Sequence, residues 1–403
     1  MTAAAEPRRW WAWRLAAAAA IAAILFARKS HALLTPQFWA EDILVFFDQS
    51  LRLGPAAIFE PYGGYLHLLP RLVAAFGALL DPAAGPLLYN AAAGLITSAV
   101  LASLVSPRTG PLGLGLALAL LPVLLPHSGE VFLNLTNVQW FTALLFFAAL
   151  IKAEPATRGG SCAEAAALGV AGLTGPFGVL LLPAFAWRAW SERSAHAARL
   201  LAAVGTTAAV QLWVLLRTPP STPAQLRFDA EASVRILADR LGVQTFFAGG
   251  VAVPTTLALV LLAGLLGAAT WAAMRSGPHR PARVALLLFP AVMLALVLVR
   301  FRELLALFQS HDNGDRYFWI ARACLGWLAL LAAAGGATRR VRLACLLPPA
   351  LAVLAALTVN FRFTPWTDLR WPEQAAILRR GAPARIPIQP APWTYDFPGR
   401  PPR

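Results

Sequence analysis

Charge is what this chain has least of. Charged residues are 13% of its 403 positions and only 19 are Asp or Glu, against 58% hydrophobic residues and a mean hydropathy of +0.62. A soluble domain needs far more polar surface, so the composition excludes one and requires an integral membrane protein. Cysteine is nearly absent too: Cys162, Cys324 and Cys345 lie in or beside apolar stretches without CxxC pairing, so neither a metal site nor a disulfide framework is suggested. No small-residue cleavage site closes the first apolar stretch, Leu15 to Phe26, before RKSH at Arg28 to His31. That stretch reads as a retained span and not as a removable signal. No internal repeat relates the two halves, which weighs against a transporter built on repeats.

What charge there is comes almost wholly from arginine, and the formal balance is +15. Nucleic-acid binding would suit such a balance. In a polytopic chain, however, basic loops set orientation, and nucleic acid is rejected as a partner on that ground.

A spanning helix needs about 20 mostly apolar residues. Nine windows qualify: 14–33, 84–105, 109–127, 137–152, 197–216, 247–274, 282–301, 317–336 and 342–359. Residues 65–80, YLHLLPRLVAAFGALL, are short and carry His67, Pro70 and Arg71, which suits an interfacial helix. Residues 162–190 contain LTGPFG, and Gly-Pro inside an apolar run predicts two half-helices forming a re-entrant pair. The expected fold is therefore an all-α polytopic membrane protein, with nine spans, a broken helix pair and interfacial helices over 1–359. A short tail over 360–403 follows.

The connections His279 to Arg283, Thr338 to Arg342 and Trp187 to Arg199 are basic and nearly free of acid, so they are expected in the cytoplasm. This orientation gives a cytoplasmic N-terminus and an external tail. It also brings three polar clusters to the external side. The first is FWAEDILVFFDQ, where Glu41 or Asp42 has the chemistry of a general base in an aromatic setting. The pattern equally allows the pair to cap or solvate a surface helix, and Asp48 would not share a helical face with Asp42. Spacing cannot say which of the adjacent acids faces a cleft, and Asp42 is given a slight preference.

The second cluster is HSGEVFLNLTNVQW, whose Glu130, Asn134, Asn137 and Gln139 form a dense set of donors and acceptors compatible with a sugar. The same residue types also satisfy backbone groups at helix ends. The third is HDNGDRYFWIAR, where Arg316 beside Tyr317 offers a permanently charged fork for a lipid-linked phosphate. The plainer alternative pairs Arg316 with Asp312 or Asp315. Arg71 and His67, in GYLHLLPR, are further binding candidates. None of His67, His127 and His311 has a second ligand at metal spacing. The tail, rich in Trp, Pro and Arg, holds one amphipathic stretch, Trp371 to Arg380, and is expected either to cover the external mouth or to anchor at the interface.

These clusters together resemble the GT-C superfamily of membrane glycosyltransferases. In that superfamily an acidic pair sits in the loop after the first span, the place of FWAED here. The run GVAGLTGPFGVLLLPAFAWRAW is similar to a Gly-Pro segment of the lipid A aminoarabinose transferases, though the Lys of that segment is missing after Thr174. FWAED with PYGGYLHLLPR, EVFLNLTNVQW, LTGPFG and RY also resembles a group of bacterial polytopic proteins to which no substrate is attached. The resemblance implies an inverting transferase of hexosyl or pentosyl groups, with a polyprenyl-phosphate sugar as donor and a glycan or lipid as acceptor. Glu41 or Asp42 would be the base, Glu130 would assist acceptor or metal binding, and Arg316 would stabilise the departing phosphate. A divalent cation serves some members and not others. A transporter or flippase, and a lipid-linked saccharide polymerase or ligase, are the competing classes.

Overall fold

The computed structural model describes residues 5–218, 229–249, 251–275, 279–311, 313–336 and 338–399. The chain opens with α1 (Ala5–Arg28) and a short turn α2 (His31–Leu34). A π-wound stretch, Asp42–Phe47, runs into α3 (Asp48–Leu53), and then come α4 (Leu68–Gly77), α5 (Gly85–Ala102), α6 (Leu112–Leu124) and α7 (Val138–Ile151). Next are α8 (Arg158–Thr174), α9 (Phe177–Glu192) and α10 (Ala195–Arg217). Two short helices, α11 (Ala230–Leu237) and α12 (Gln244–Phe247), precede the long α13 (Thr255–Met274), α14 (Arg280–Arg300), α15 (Asp315–Ala334) and α16 (Arg339–Val359). The tail forms α17 (Trp371–Arg380) and an antiparallel hairpin of β1 (Ala384–Pro387) and β2 (Thr394–Phe397).

Among the described residues, seven helices are long and apolar enough to cross a membrane: Arg9–Arg28, Pro82–Ala102, Ala195–Arg217, Thr255–Met274, Arg280–Arg300, Asp315–Ala334 and Arg339–Val359. The protein is thus an all-α, multi-pass membrane protein with interfacial helices. Two of the expected spans fall short. The helices in windows 109–127 and 137–152 have 13 and 14 residues, or ~20 Å of helix at about 1.5 Å per residue, against a hydrocarbon core of about 30 Å. Pro111 and Pro126 flank the first of them with non-helical backbone. The second is enclosed by protein, every residue of α7 except Leu145 being buried, so lipid thickness does not set its length.

Proline also explains how α6 and α15 lock together. Pro122 and Pro126 have no N–H to give the carbonyls of Leu118 and Pro122, four residues earlier. Two fully buried indoles of α15 supply the missing donors: Trp327 Nε1 donates to Leu118 O (2.9 Å) and Trp319 Nε1 to Pro122 O (3.0 Å). Each pairing satisfies a carbonyl and a Trp N–H that burial would otherwise leave unmade.

The Gly-Pro break falls where the sequence predicts, between α8 and α9. At the tip, Thr174 Oγ1 accepts from the Leu69 N–H (3.3 Å). At the far ends, Glu164 of α8 pairs with Arg108 and Lys152, and Arg188 of α9 donates to the carbonyls of Ala149 and Lys152. The pair therefore begins and ends at one end of the bundle, which also carries the arginine-rich connections around Arg193, Arg280 and Arg340. The opposite end gathers the loop after α1, residues 126–137, the start of α15 and the tail.

The tail is a packed cap. Trp371, Leu378, Ile386, Tyr395 and Phe397 share a small core with Phe38, Phe46, Phe47 and Tyr89. Polar contacts fix it further: Trp371 Nε1 donates to Pro82 O (3.0 Å), Tyr395 Oη to Asp48 Oδ1 (2.8 Å), and Arg379 forms two 2.8 Å bonds with Asp81.

Candidate functional site

Under this cap lies a cavity of about 1090 Å³. Its walls are Lys29, His31, Trp39 and Glu41 from the loop after α1, His127 and Glu130 from the segment before α7, Arg316 and Tyr317 from α15, and Arg362, Trp366 and Trp393 from the tail.

The FWAED loop alternates between packing and cavity. Phe38 is buried against Phe47, Tyr89 and Trp371, with ring centroids 4.8–5.1 Å away. Trp39 turns the other way and stacks on Trp366 of the tail (5.4 Å, 28°). The Ala40 N–H donates to Gln389 O (2.5 Å), and Gln389 N–H to Phe38 O (3.2 Å), so the tail extends this loop as a strand-like partner. The two acids then separate. Asp42 is fully buried and accepts from Leu135 N (3.0 Å), Thr136 N (2.7 Å) and Thr136 Oγ1 (2.6 Å). Burial pushes its carboxyl up to about 7, against those three donors, which favour the carboxylate. Glu41 is half-buried, lines the cavity and has the Tyr62 hydroxyl at 3.4 Å. The geometry thus reverses the slight preference for Asp42: that residue anchors the loop to the segment before α7, and Glu41 is the carboxylate that a ligand can reach.

Across the cavity, Arg316 is held by Glu130. Its backbone N–H donates to Glu130 Oε2 (3.1 Å) and its guanidinium to Oε1. Burial raises the Glu130 carboxyl, and the Arg316 charge opposes the rise. Asp315 is not the partner of Arg316. It lies between Arg322 (2.5 Å) and Arg240 (3.1 Å) and accepts from Ser128 N (2.7 Å). Asp312 lies outside the described residues.

The remaining candidates do not line the cavity. Asn134 Nδ2 donates to Glu130 O (2.6 Å), Asn134 Oδ1 accepts from Asn137 N (3.0 Å), and Asn137 Nδ2 donates to Glu130 O (2.9 Å). Both asparagines therefore shape the turn that presents Glu130. Gln139 is buried at the start of α7. His67 is enclosed beside Tyr62, Tyr65 and Phe46, with Nε2 3.1 Å from Tyr62 O. Arg71 donates to Glu60 O (3.0 Å) beneath the Phe46 ring.

Several cavity residues were not singled out from sequence. Lys29 is 2% exposed, donates to Gly129 O (3.0 Å) and Phe132 O (2.7 Å), and sits 4.3 Å from the Trp366 ring. Burial brings its amine down to about 7. His127 accepts from Gly129 N at Nδ1 (2.9 Å), which leaves its proton on Nε2, and burial pushes it well down. His31, against Trp366, is pushed down to about 4 by burial. Both imidazoles are thus neutral at neutral pH. Arg362 is exposed to the cavity and forms no ion pair among the described residues. No group of three or more His, Cys, Asp or Glu side chains is placed to hold a metal ion among the described residues.

No protein-family model, no curated protein and no solved structure matches the chain. The geometry supports a polytopic, all-α membrane protein with a polar, indole-walled cavity at one end of the bundle. The cavity presents a carboxylate on one wall and arginines on the others.

Proposed function

We propose that the protein is a GT-C-type membrane glycosyltransferase that moves a sugar, with inversion, from a polyprenyl-phosphate donor to a hydroxyl of a glycan or lipid acceptor. The observation that carries this reading is that Glu41, Arg316 and Arg362, from three distant parts of the chain, wall one cavity. The basic, acid-poor connections lie at the other end of the bundle. The preference of such loops for the cytoplasm supports an external cavity.

In this mechanism Glu41 takes the proton of the acceptor hydroxyl as its oxygen attacks the anomeric carbon. The bond from that carbon to the phosphate oxygen breaks as the new one forms, and polyprenyl phosphate leaves with the electron pair. Arg316 and Arg362 stabilise the charge that develops on the phosphate, where fixed cations are most effective. Glu130 orients Arg316, and Asp42 holds the loop that carries Glu41. Indoles at Trp39 and Trp366 offer apolar faces to sugar C–H groups.

Cells lacking the protein should lose one glycoconjugate and accumulate a lipid-linked monosaccharide. An unchanged glycan profile together with failed uptake of a solute would instead make it a transporter.

A further inference from the structure

Two motifs of the sequence contribute no residue to the cavity wall: LTGPFG, the tip of the broken helix pair, and PYGGYLHLLPR, the segment that leads into α4. They are bonded to each other. Tyr62 and Tyr65 close a two-residue turn, in which Tyr62 N–H donates to Tyr65 O (3.0 Å) and Tyr65 N–H to Tyr62 O (3.3 Å). Gly63 and Gly64 take the positive φ, 61° and 93°, that a tight turn of this kind asks of both central residues. His67 Nε2 donates to Tyr62 O (3.1 Å). Gln211 of α10, 1% exposed, then ties the turn to the pair: its Oε1 accepts from Leu66 N (2.8 Å), and its Nε2 donates to Leu66 O (3.2 Å) and to Gly172 O of α8 (2.9 Å). Thr174, at the tip, accepts from Leu69 N–H.

The turn delivers one group to the site. Tyr62 Oη lies 3.4 Å from Glu41 Oε1 and is the sole hydrogen-bond partner of the Glu41 side chain among the described residues, whereas Asp42 has three donors. The Tyr62 ring is set against Phe46 and His67, with centroids 6.2 and 5.6 Å away, so the place of the hydroxyl follows from the place of the turn. Burial and the Glu41 charge both push the Tyr62 phenol up, and its oxygen therefore keeps the proton it donates. A carboxylate held at one oxygen by one neutral donor is already oriented, with its second oxygen free for a substrate hydroxyl.

Resting on the glycosyltransferase reading above, we propose that Tyr62 is the positioning residue of Glu41, and that the broken helix pair serves the reaction as the footing of the Tyr62–Tyr65 turn. Tyr62 touches neither donor nor acceptor. It fixes Oε1 of Glu41 so that Oε2 receives the proton of the acceptor hydroxyl, and it favours the carboxylate over its protonated form.

The test is the pH dependence of transfer by the purified full-length protein with a polyprenyl-phosphate sugar, each rate taken per folded molecule. Tyr62→Phe keeps the ring contacts and removes the donor. It should lower kcat about tenfold with KM for the donor unchanged, and move the acid limb of the kcat profile up by roughly 1 pH unit, the equivalent of one hydrogen bond to a charged group. In a Glu41→Gln background the same substitution should change the residual rate by less than about twofold, because a residue that acts through Glu41 then has nothing to act on. Tyr395→Phe, which removes the phenol donated to Asp48 elsewhere in the cap, should leave the acid limb in place. A parental acid limb in Tyr62→Phe, an equal shift in Tyr395→Phe, or an undiminished loss in the Glu41→Gln background would overturn this inference while the transferase reading stands. A parent protein that transfers no sugar from such a donor would remove both.

Discussion

Both ends of the helical bundle bury charge, but to different ends. At the end with the basic, acid-poor connections, Glu164 is ringed by Arg108, Lys152 and His196, and Arg188 engages Glu192 and two carbonyls. Those groups turn toward one another and tie α7, α8 and α9 together. At the capped end, Asp42, Asn134 and Asn137 do similar work, yet Glu41 and Arg362 turn into open volume. Polar residues at helix ends are therefore not in themselves a site. The difference is whether the protein supplies their partners or leaves that to a ligand.

The largest expected effect that tests this contrast is at Glu41. Glu41→Gln keeps size and shape but removes proton acceptance, and should slow transfer by roughly 10²–10⁴-fold in kcat with donor affinity little changed. Asp42→Asn acts on the fold. It replaces an acceptor of three hydrogen bonds with a group that must point a donor at one of them, and should cost about 1–3 kcal/mol, read as a lower Tm. At the other end Arg188→Met strips donors from the carbonyls of Ala149 and Lys152. It should lower Tm by a comparable ~1–3 kcal/mol and leave the transfer rate of the folded fraction at the parental value.

The last effect, read as a slope against pH, concerns Lys29. Its native amine is brought down to about 7 from 10.5, so between those values the folded chain is deprotonated while the unfolded chain is protonated. Unfolding then takes up a proton, and stability rises with pH through that window and is flat below it. The contribution is at most about 1.4 kcal/mol per pH unit. Melting curves from pH 7 to 10 should show this rise in the parent and a shallower one in Lys29→Met. Equal slopes would mean that Lys29 stays protonated in its carbonyl cradle.

Much of the architecture was legible because hydropathy, loop charge and Gly-Pro are local signals. Each of the nine windows holds a helix, the chain breaks at Gly175–Pro176, and the three polar clusters meet at one end. Span length was misjudged at α6 and α7 because apolar loop residues extend their windows, and because a helix enclosed by other helices need not match the bilayer. The site was legible as segments and not as side chains. Adjacent acids cannot be ranked without knowing which one meets the Leu135 and Thr136 amides, 93 and 94 residues away. The partner of Arg316 is 186 residues distant. Lys29, Trp366 and Arg362 enter the cavity only because the tail folds back over the first loop, a contact with no local signature beyond the tail's excess of Trp and Arg.

The central claim is tested most directly by assaying purified Glu41→Gln and Asp42→Asn side by side in one transfer reaction with a polyprenyl-phosphate sugar, each rate divided by the folded fraction. The account expects Glu41→Gln to melt like the parent and lose at least a hundredfold in rate, and Asp42→Asn to melt early yet turn over at a near-parental rate per folded molecule. A Glu41→Gln protein of parental rate beside an inactive, fully folded Asp42→Asn would contradict it.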